Sequence, residues 1–469
     1  MTAPVSARAA RSTERADAEM WRAAGILLCA AVLAGLDATI VNVGIDAVAR
    51  DLGAPLSTVQ WVMTGYLLAV SVVMPISGWA SERFGAKRTW LFSVAVFVGG
   101  SALCGLAWSA PALIAFRVVQ GIGGGMMQPV GQAMVAQAAG PSRMGRVMAV
   151  TSVPVMFAPV LGPVLGGLIV QGLDWRWMFL VNLPIGAAVL LVAVRWLPSI
   201  GARTPQNRLD LRGLVLISPG LAALVYGFTA AGEAGGFTAP GTLAPLLLGA
   251  ALLVAYAVHA LRGAEVPLID LRFFARRGFA AATGNSFLLG ASLYSSMLLI
   301  PLYYQQVQQV SALAAGLLLA PQAFGTAITT YLAGRLTDRL GPRPLLLTGI
   351  GAALAGTLAF TQLAAGPPGW LLTASLVLRG IGMGLTMAPG MTAVYRSVAR
   401  HEAPRAASAL NVLNRVGGSL GTALLVVVLQ NGDPNPAAAF GDTFWWAFGL
   451  TALSLVPAFL FPSREGEST

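Results

Sequence analysis

Charge is what this chain has least of. Asp, Glu, Lys and Arg make up 10% of its 469 residues, and 56% are apolar. Soluble proteins carry about 25% charged residues, so a water-soluble globular fold is excluded. Lysine occurs once, at Lys87, and the remaining 28 cations are arginines. The formal net charge of +11 is therefore high, yet no Lys/Arg tract or aromatic-interleaved basic patch accompanies it, which excludes a nucleic-acid partner. Cysteine is nearly absent too. Cys29 and Cys104 both lie in apolar runs, where they build neither a disulfide framework nor a metal site. Leu28 stands where a lipoprotein signal needs a small residue, and no small-residue cleavage site ends the first apolar run, which is read as a membrane helix and not a signal peptide. His259 and His401 fall at a helix end and in a loop and are assigned no role. No Walker lysine motif occurs. Met126 breaks the glycine pattern of Gly121–Gly125, so no phosphate loop is present and nothing points to ATP or another cofactor. No nucleophile–base pair suggests an enzyme.

What the chain does have is apolar runs of about 20 residues, the span of one bilayer-crossing helix. Fourteen can be drawn: 22–48, 57–78, 90–107, 110–137, 147–171, 177–197, 213–231, 243–261, 278–307, 313–333, 345–364, 369–392, 406–430 and 443–461. With both termini on one side, 24 of the 29 cations fall on that side. Arg50 and Arg176 fall on the other, and Arg117, Arg379 and Arg415 lie within spans. Such asymmetry places the basic side in the cytoplasm, with short tails at 1–21 and 462–469.

The chain also repeats itself. Gly78-Trp-Ala-Ser-Glu82-Arg83-Phe-Gly85 follows span 2, and Gly334-Arg-Leu-Thr-Asp338-Arg339-Leu-Gly341 follows span 10, 256 residues later. Arg117-Val-Val-Gln-Gly-Ile-Gly in span 4 is echoed 262 residues on by Arg379-Gly-Ile-Gly-Met-Gly. Both copies lie on the same membrane side, so the repeat is parallel, an architecture of transporters that bind substrate between two halves. The expected fold is an all-α polytopic membrane protein. Its six-helix halves would occupy 22–197 and 263–461, with two additional helices in a linker at 198–262.

The ordered motifs Leu36-Asp37-Ala-Thr39-Ile-Val-Asn42-Val, Gln60-Trp61-Val-Met-Thr-Gly-Tyr66, the 78–88 loop, Arg117 to Gly125, Gly162-Pro163-Val-Leu-Gly166-Gly167 and Asp174-Trp-Arg176-Trp-Met-Phe-Leu-Val-Asn182-Leu-Pro184-Ile-Gly186 carry a resemblance. The chain resembles the 14-helix drug:proton antiporters of the major facilitator superfamily. Two departures stand out: Glu82 replaces the usual Asp, and Gly44-Ile45-Asp46 replaces a mostly apolar, proline-containing stretch. The resemblance implies a plasma-membrane exporter of amphipathic small molecules, driven by the proton gradient, with lipid as its surroundings. Export of one dedicated metabolite or lipid is the alternative, and a non-transporting scaffold or sensor on the same fold comes behind it.

Asp37 is the one carboxylate placed firmly within a span, where a charge costs roughly 2.5–3.5 kcal/mol, and that makes it the candidate proton carrier. At about 1.5 Å per residue it lies about 22 Å from Arg22, and Arg117 lies about 10 Å below the outer edge. The depths match, so the two can pair; in the family, counterparts of both are tied to proton coupling. Asp46 shares a face with Thr39 and Asn42, away from Asp37, and reads as a solvated helix end, with an outer-vestibule carboxylate that attracts cations as the alternative.

The resemblance further implies a conformational latch built from Gly78, Glu82, Arg83, Gly85, Lys87 and Arg88, with Asp338 and Arg339 in the second copy. It also implies a bendable seam between the halves at Pro159, Gly162, Pro163, Gly166 and Gly167. Polar and aromatic stripes at helical spacing nominate a substrate cavity of Gln60, Thr64, Tyr66, Met127, Gln128, Phe157, Asn285, Ser292, Tyr294, Ser296, Tyr303, Asn411 and Arg415. Arg415, near the midplane, needs a partner or a wet cavity.

Overall fold

The computed structural model describes residues 5–139, 147, 150, 151, 154, 158–198, 208–262 and 266–461. Helices dominate it. The first half comprises α1 (Val5–Asp51), α2 (Leu56–Val73), α3 (Ile76–Phe84), α4 (Ala86–Gly105), α5 (Ala110–Ala139), α6 (Ala158–Gly172), α7 (Trp177–Leu180) and α8 (Asn182–Trp196). Two further helices follow, α9 (Leu211–Ala234) and α10 (Pro240–Arg262). The second half comprises α11 (Arg277–Gln306), α12 (Ala312–Leu318), α13 (Ala320–Leu340), α14 (Pro342–Leu358), α15 (Gly369–Arg396), α16 (Ala403–Gln430), α17 (Pro436–Leu453) and α18 (Leu455–Phe459).

Each of the fourteen apolar segments carries helix. Among the described residues, ten helices are both long and apolar enough to cross a membrane, or eleven when the bent pair α2–α3 counts as one. This is a multi-pass membrane protein, and the count of fourteen crossings goes beyond what those helices establish. Residues 140–146, most of 148–157, 199–207, 263–265 and 462–469 lie outside the described residues, and so do parts of the expected fifth span, the linker and the tails.

The sequence repeat is a packing repeat. In the first half α5 packs on α2, α4 and α1, while α1 packs on α6 and α8, and α4 on α8. In the second half α15 packs on α13, α14 and α11, while α11 packs on α16 and α17, and α14 on α17. Small residues make the closest of these contacts, because without side-chain bulk two helix backbones can touch. A Cβ on Gly121 would lie 2.7 Å from the Tyr66 carbonyl oxygen of α2, and one on Gly384 would lie 2.7 Å from that of Thr326 on α13. Gly85 and Gly341, at φ 91° and 83°, close the tight turns α3–α4 and α13–α14 in a backbone region that only glycine enters freely.

Span 2 is broken by 54° between α2 and α3, at Pro75, which has no N–H to give to the turn before it. Neighbours take up the carbonyls around this bend. Ser218 of α9 donates to the Val72 carbonyl at 2.6 Å, and Ser408 of α16 donates to that of Met74 at 2.7 Å. α9 thus packs on both α2 and α16. It is also held at its other end, where Gln430 and Asn431 donate to the carbonyls of Gly232 and Gly235.

Candidate functional site: a buried ion pair, an interhelical gate and a cavity

The structure brings Asp37 and Arg117 into contact, with Arg117 Nη1 donating to Asp37 Oδ2 at 2.7 Å and both side chains fully buried. Asp37 Oδ1 accepts from Gln120 Nε2 at 2.9 Å and from Asn182 Nδ2 at 2.8 Å. Ser101 steadies both amides, accepting from Gln120 at 3.1 Å and from Asn182 at 2.9 Å. Arg117 also reaches Gln120 Oε1 at 2.8 Å and the Val62 carbonyl at 3.3 Å, and the Tyr66 ring lies 4.2 Å from its guanidinium carbon. These groups come from five helices of one half. All three side-chain partners donate to Asp37, so the arrangement suits two acceptor oxygens. A proton on the carboxyl would turn one oxygen into a donor facing donors.

A candidate gate, made of contacts between α16 and the first half, lies toward the face that carries Glu82. Residues 405, 408 and 411 follow one stripe of α16, and each meets the first half. Arg405 pairs with Glu82 at 2.6 Å, both mostly buried. Ser408 reaches the bend carbonyl of Met74. Asn411 donates to Gln132 Oε1 at 2.7 Å. Gly78 makes this contact possible, since a Cβ there would lie 3.2 Å from Arg405 Cα.

Of the expected latch, Glu82 pairs with Arg405 of the other half and Gly78 lies against the same residue. Lys87 donates to the Val194 carbonyl of its own half at 3.0 Å, because just past Gly85 the chain has already turned back into α4. Arg83 is half-buried, while Arg88 and Arg339 are exposed. The Asp338 side chain lies outside the described ones. At the expected seam, α6 meets its own half on one face. Gly162 and Gly166, four residues apart and so on one helix face, pack on Thr39 and Ile40 of α1 inside the first half. Gly167 meets nothing within 4 Å. Contact between α6 and the other half is made by α12. The side chains of Pro159 and Pro163 lie outside the described ones.

Beyond the gate, where α16 parts from α5, lies a cavity of about 130 Å³. Gln128, Asn285, Ser292 and Asn411 line it, as the polar stripes suggest. Other candidates belong elsewhere. Tyr66 covers Arg117, and Met127 is buried in the apolar core beside it. Tyr303 packs against Tyr304 and Phe440. Tyr294 is exposed with its ring against Gly418. Gln60 and Thr64 sit near the start of α2, away from the cavity, and are exposed and half-buried. Asp46 is exposed at the end of α1. Arg415 is half-buried, with no hydrogen-bond or ion-pair partner among the described residues, and lies within electrostatic reach of Tyr66. Phe157 lies outside the described residues. Sequence reasoning passed over Gln120, Gln132, Asn414, Thr357, Arg379 and Arg405. The repeat flagged only Arg379, as the mate of Arg117.

Comparison with known proteins agrees with this architecture. The chain is 40% identical over 418 residues to the Multidrug resistance protein B homolog of Mycobacterium tuberculosis, covering 89% of this chain and 77% of that protein. It is 31% identical over 434 residues to the Putative multidrug resistance protein MdtD of Cronobacter sakazakii, covering 91% of each. In fold alone it is similar to the proton:xylose symporter XylE of E. coli, with TM-score 0.67, 14% identity and coverage of 95% and 97%. The described helices repeat one packing scheme across two halves, and residues 27–422 match the family model directly: the chain belongs to the Major Facilitator Superfamily.

Proposed function

We propose that this transporter exports amphipathic small molecules in exchange for protons by alternating access, with the arginine-rich face and both termini in the cytoplasm. The observation that carries the reading is α5. One helix bears Arg117, paired with the buried Asp37, then Gln128 in the cavity about three turns later and Gln132 in the gate about four turns later. Glycine contacts against α2 and α4 leave α5 no room to shift alone. Protonating Asp37 takes the counter-charge away from Arg117 and rearranges the donors around the carboxyl, and α5 carries that change to Gln132–Asn411. A proton and a substrate then bias the same two-state element from different ends. Relatives named for multidrug and lincomycin resistance support export of drug-like molecules. The excess of arginine on the Glu82 face supports the orientation.

The test uses inside-out vesicles under an imposed pH gradient, with lipophilic anions, neutral drugs and cations added in turn. At least one compound should collapse the gradient with the wild-type protein and fail to do so with Asp37→Asn. If no compound does so with folded, inserted protein, or if Asp37→Asn behaves like wild type, the proton-exchange reading is overturned.

A further inference from the structure

The two halves treat their buried arginines differently. In the first half, Arg117 of α5 is neutralised by Asp37 of α1, with Ser101 of α4 behind it. In the second half, Arg379 of α15 occupies the corresponding place, equally buried. Its partners are Thr357 of α14, which accepts from Nη1 at 2.5 Å, and Ser296 of α11, which accepts from Nη2. Thr357 lies 256 residues after Ser101, the same offset as the loop repeat. Ser296 lies 259 residues after Asp37. The second half has therefore kept the arginine and the hydroxyl behind it but carries a neutral serine where the first half carries a carboxylate.

The uncompensated guanidinium lines the cavity, and no Asp or Glu among the described residues lines it. Among the described residues Arg379 Nε has no hydrogen-bond partner, and neither amide atom of Asn285, buried in the same wall, has one. An arginine this deep in a bilayer calls for an anion or water, and Arg379 and Asn285 both border the space where one would sit. Gln128, Asn411 and Asn414 add neutral amides. At about 130 Å³ the space is smaller than the roughly 300–1,000 Å³ of a drug-sized pocket, so it holds one end of a larger molecule.

We infer that this cavity binds the anionic head of an amphipathic carboxylic acid, with Arg379 as the counter-charge and Asn285 as a second donor. The inference rests on the proposed export reading in taking the cavity for the transport site, and it narrows the substrate from amphipathic molecules in general to carboxylates. A lipophilic cation would meet an unneutralised guanidinium with no carboxylate to offset it.

The test is binding to the full chain in lipid nanodiscs, without any proton gradient. The probes share one apolar tail: 4-phenylbutyrate, 4-phenylbutyramide and (3-phenylpropyl)trimethylammonium. The carboxylate should bind at least about tenfold more tightly than the amide, and the ammonium should not compete. Ser296→Asp rebuilds the ion pair of the first half and should cost the carboxylate at least about tenfold while sparing the amide. Arg379→Gln should do the same. Ser296→Asp decides the matter if Arg379→Gln fails to fold. Equal or tighter binding of the amide or ammonium, or a Ser296→Asp variant with unchanged carboxylate affinity, overturns the inference. Carboxylate binding without proton exchange in vesicles would overturn the export mechanism alone, and export of the ammonium for protons would overturn the anion site alone.

Discussion

Replacing Asp37 with Asn tests whether the buried pair acts as a unit. The substitution keeps the shape but removes the charge and puts an amide donor among the donors of Gln120 and Asn182, which now meet Asp37 Oδ1 at 2.9 and 2.8 Å. Arg117, fully buried, loses its counter-ion and keeps Gln120 Oε1 and the Val62 carbonyl. Breaking a buried pair from one side costs about 3–5 kcal/mol, because the charge left behind is uncompensated. At a few degrees per kcal/mol that is a fall in Tm on the order of 10 °C. Arg117→Gln leaves Asp37 two of its three donors, so it belongs at the lower end of that range. The double variant removes both charges and should cost much less than the two singles combined. Thermal unfolding of all four proteins in one detergent, read as a double-mutant cycle, should give a coupling of about 2 kcal/mol or more. A coupling below about 0.5 kcal/mol, the scatter expected for independent sites, would refute the claim that these side chains hold each other.

Other measurements probe the gate and the loops. In a Cys29→Ser background, a cysteine at Ser408, fully buried here, should resist thiol reagents; Gly78→Leu should raise its labelling on the order of tenfold by forcing Arg405 and Pro404 away, and unchanged labelling would contradict the close approach at Gly78. Arg405→Glu should open the same gate by like charge against Glu82, and Glu82→Arg in combination should restore protection; a double variant as open as the single would show that the pair does not latch. Glu402 is held below the usual carboxylate range, chiefly by its hydrogen bond from Arg276, so its share of stability is present above about pH 4.5 and is lost as pH falls through the lowered value. Thermal stability should therefore drop on acidification more steeply in the wild type than in Glu402→Gln, and parallel profiles would refute the linkage.

Much of the architecture was legible along the chain because apolar length, charge asymmetry and repetition are properties of a one-dimensional string. Hydrophobic runs of bilayer length mark the helices, and each of the fourteen segments carries helix. Matching depth from helical rise put Asp37 level with Arg117, and no other buried carboxylate competed for that arginine. Periodicity also separated the Thr39 stripe from Asp37 on opposite sides of α1. The stripe meets Gly162, while Asp37 faces α5 and α8.

What a face meets is a different kind of information. A glycine pair four residues apart declares a close contact, but only packing shows that Gly162 and Gly166 use it within one half. Glu82 finds Arg405 across 323 residues, a distance over which no local pattern carries a signal, and it does so because Pro75 bends span 2 and Gly78 lets α16 approach. Tyr66 and Tyr303 share a residue type and a helical setting, yet one covers a guanidinium and the other fills an aromatic core. The repeat announced that Arg379 corresponds to Arg117. Only the folded arrangement shows that a serine stands where the matching carboxylate would be, because counter-charge depends on which side chains three separate helices bring to one point.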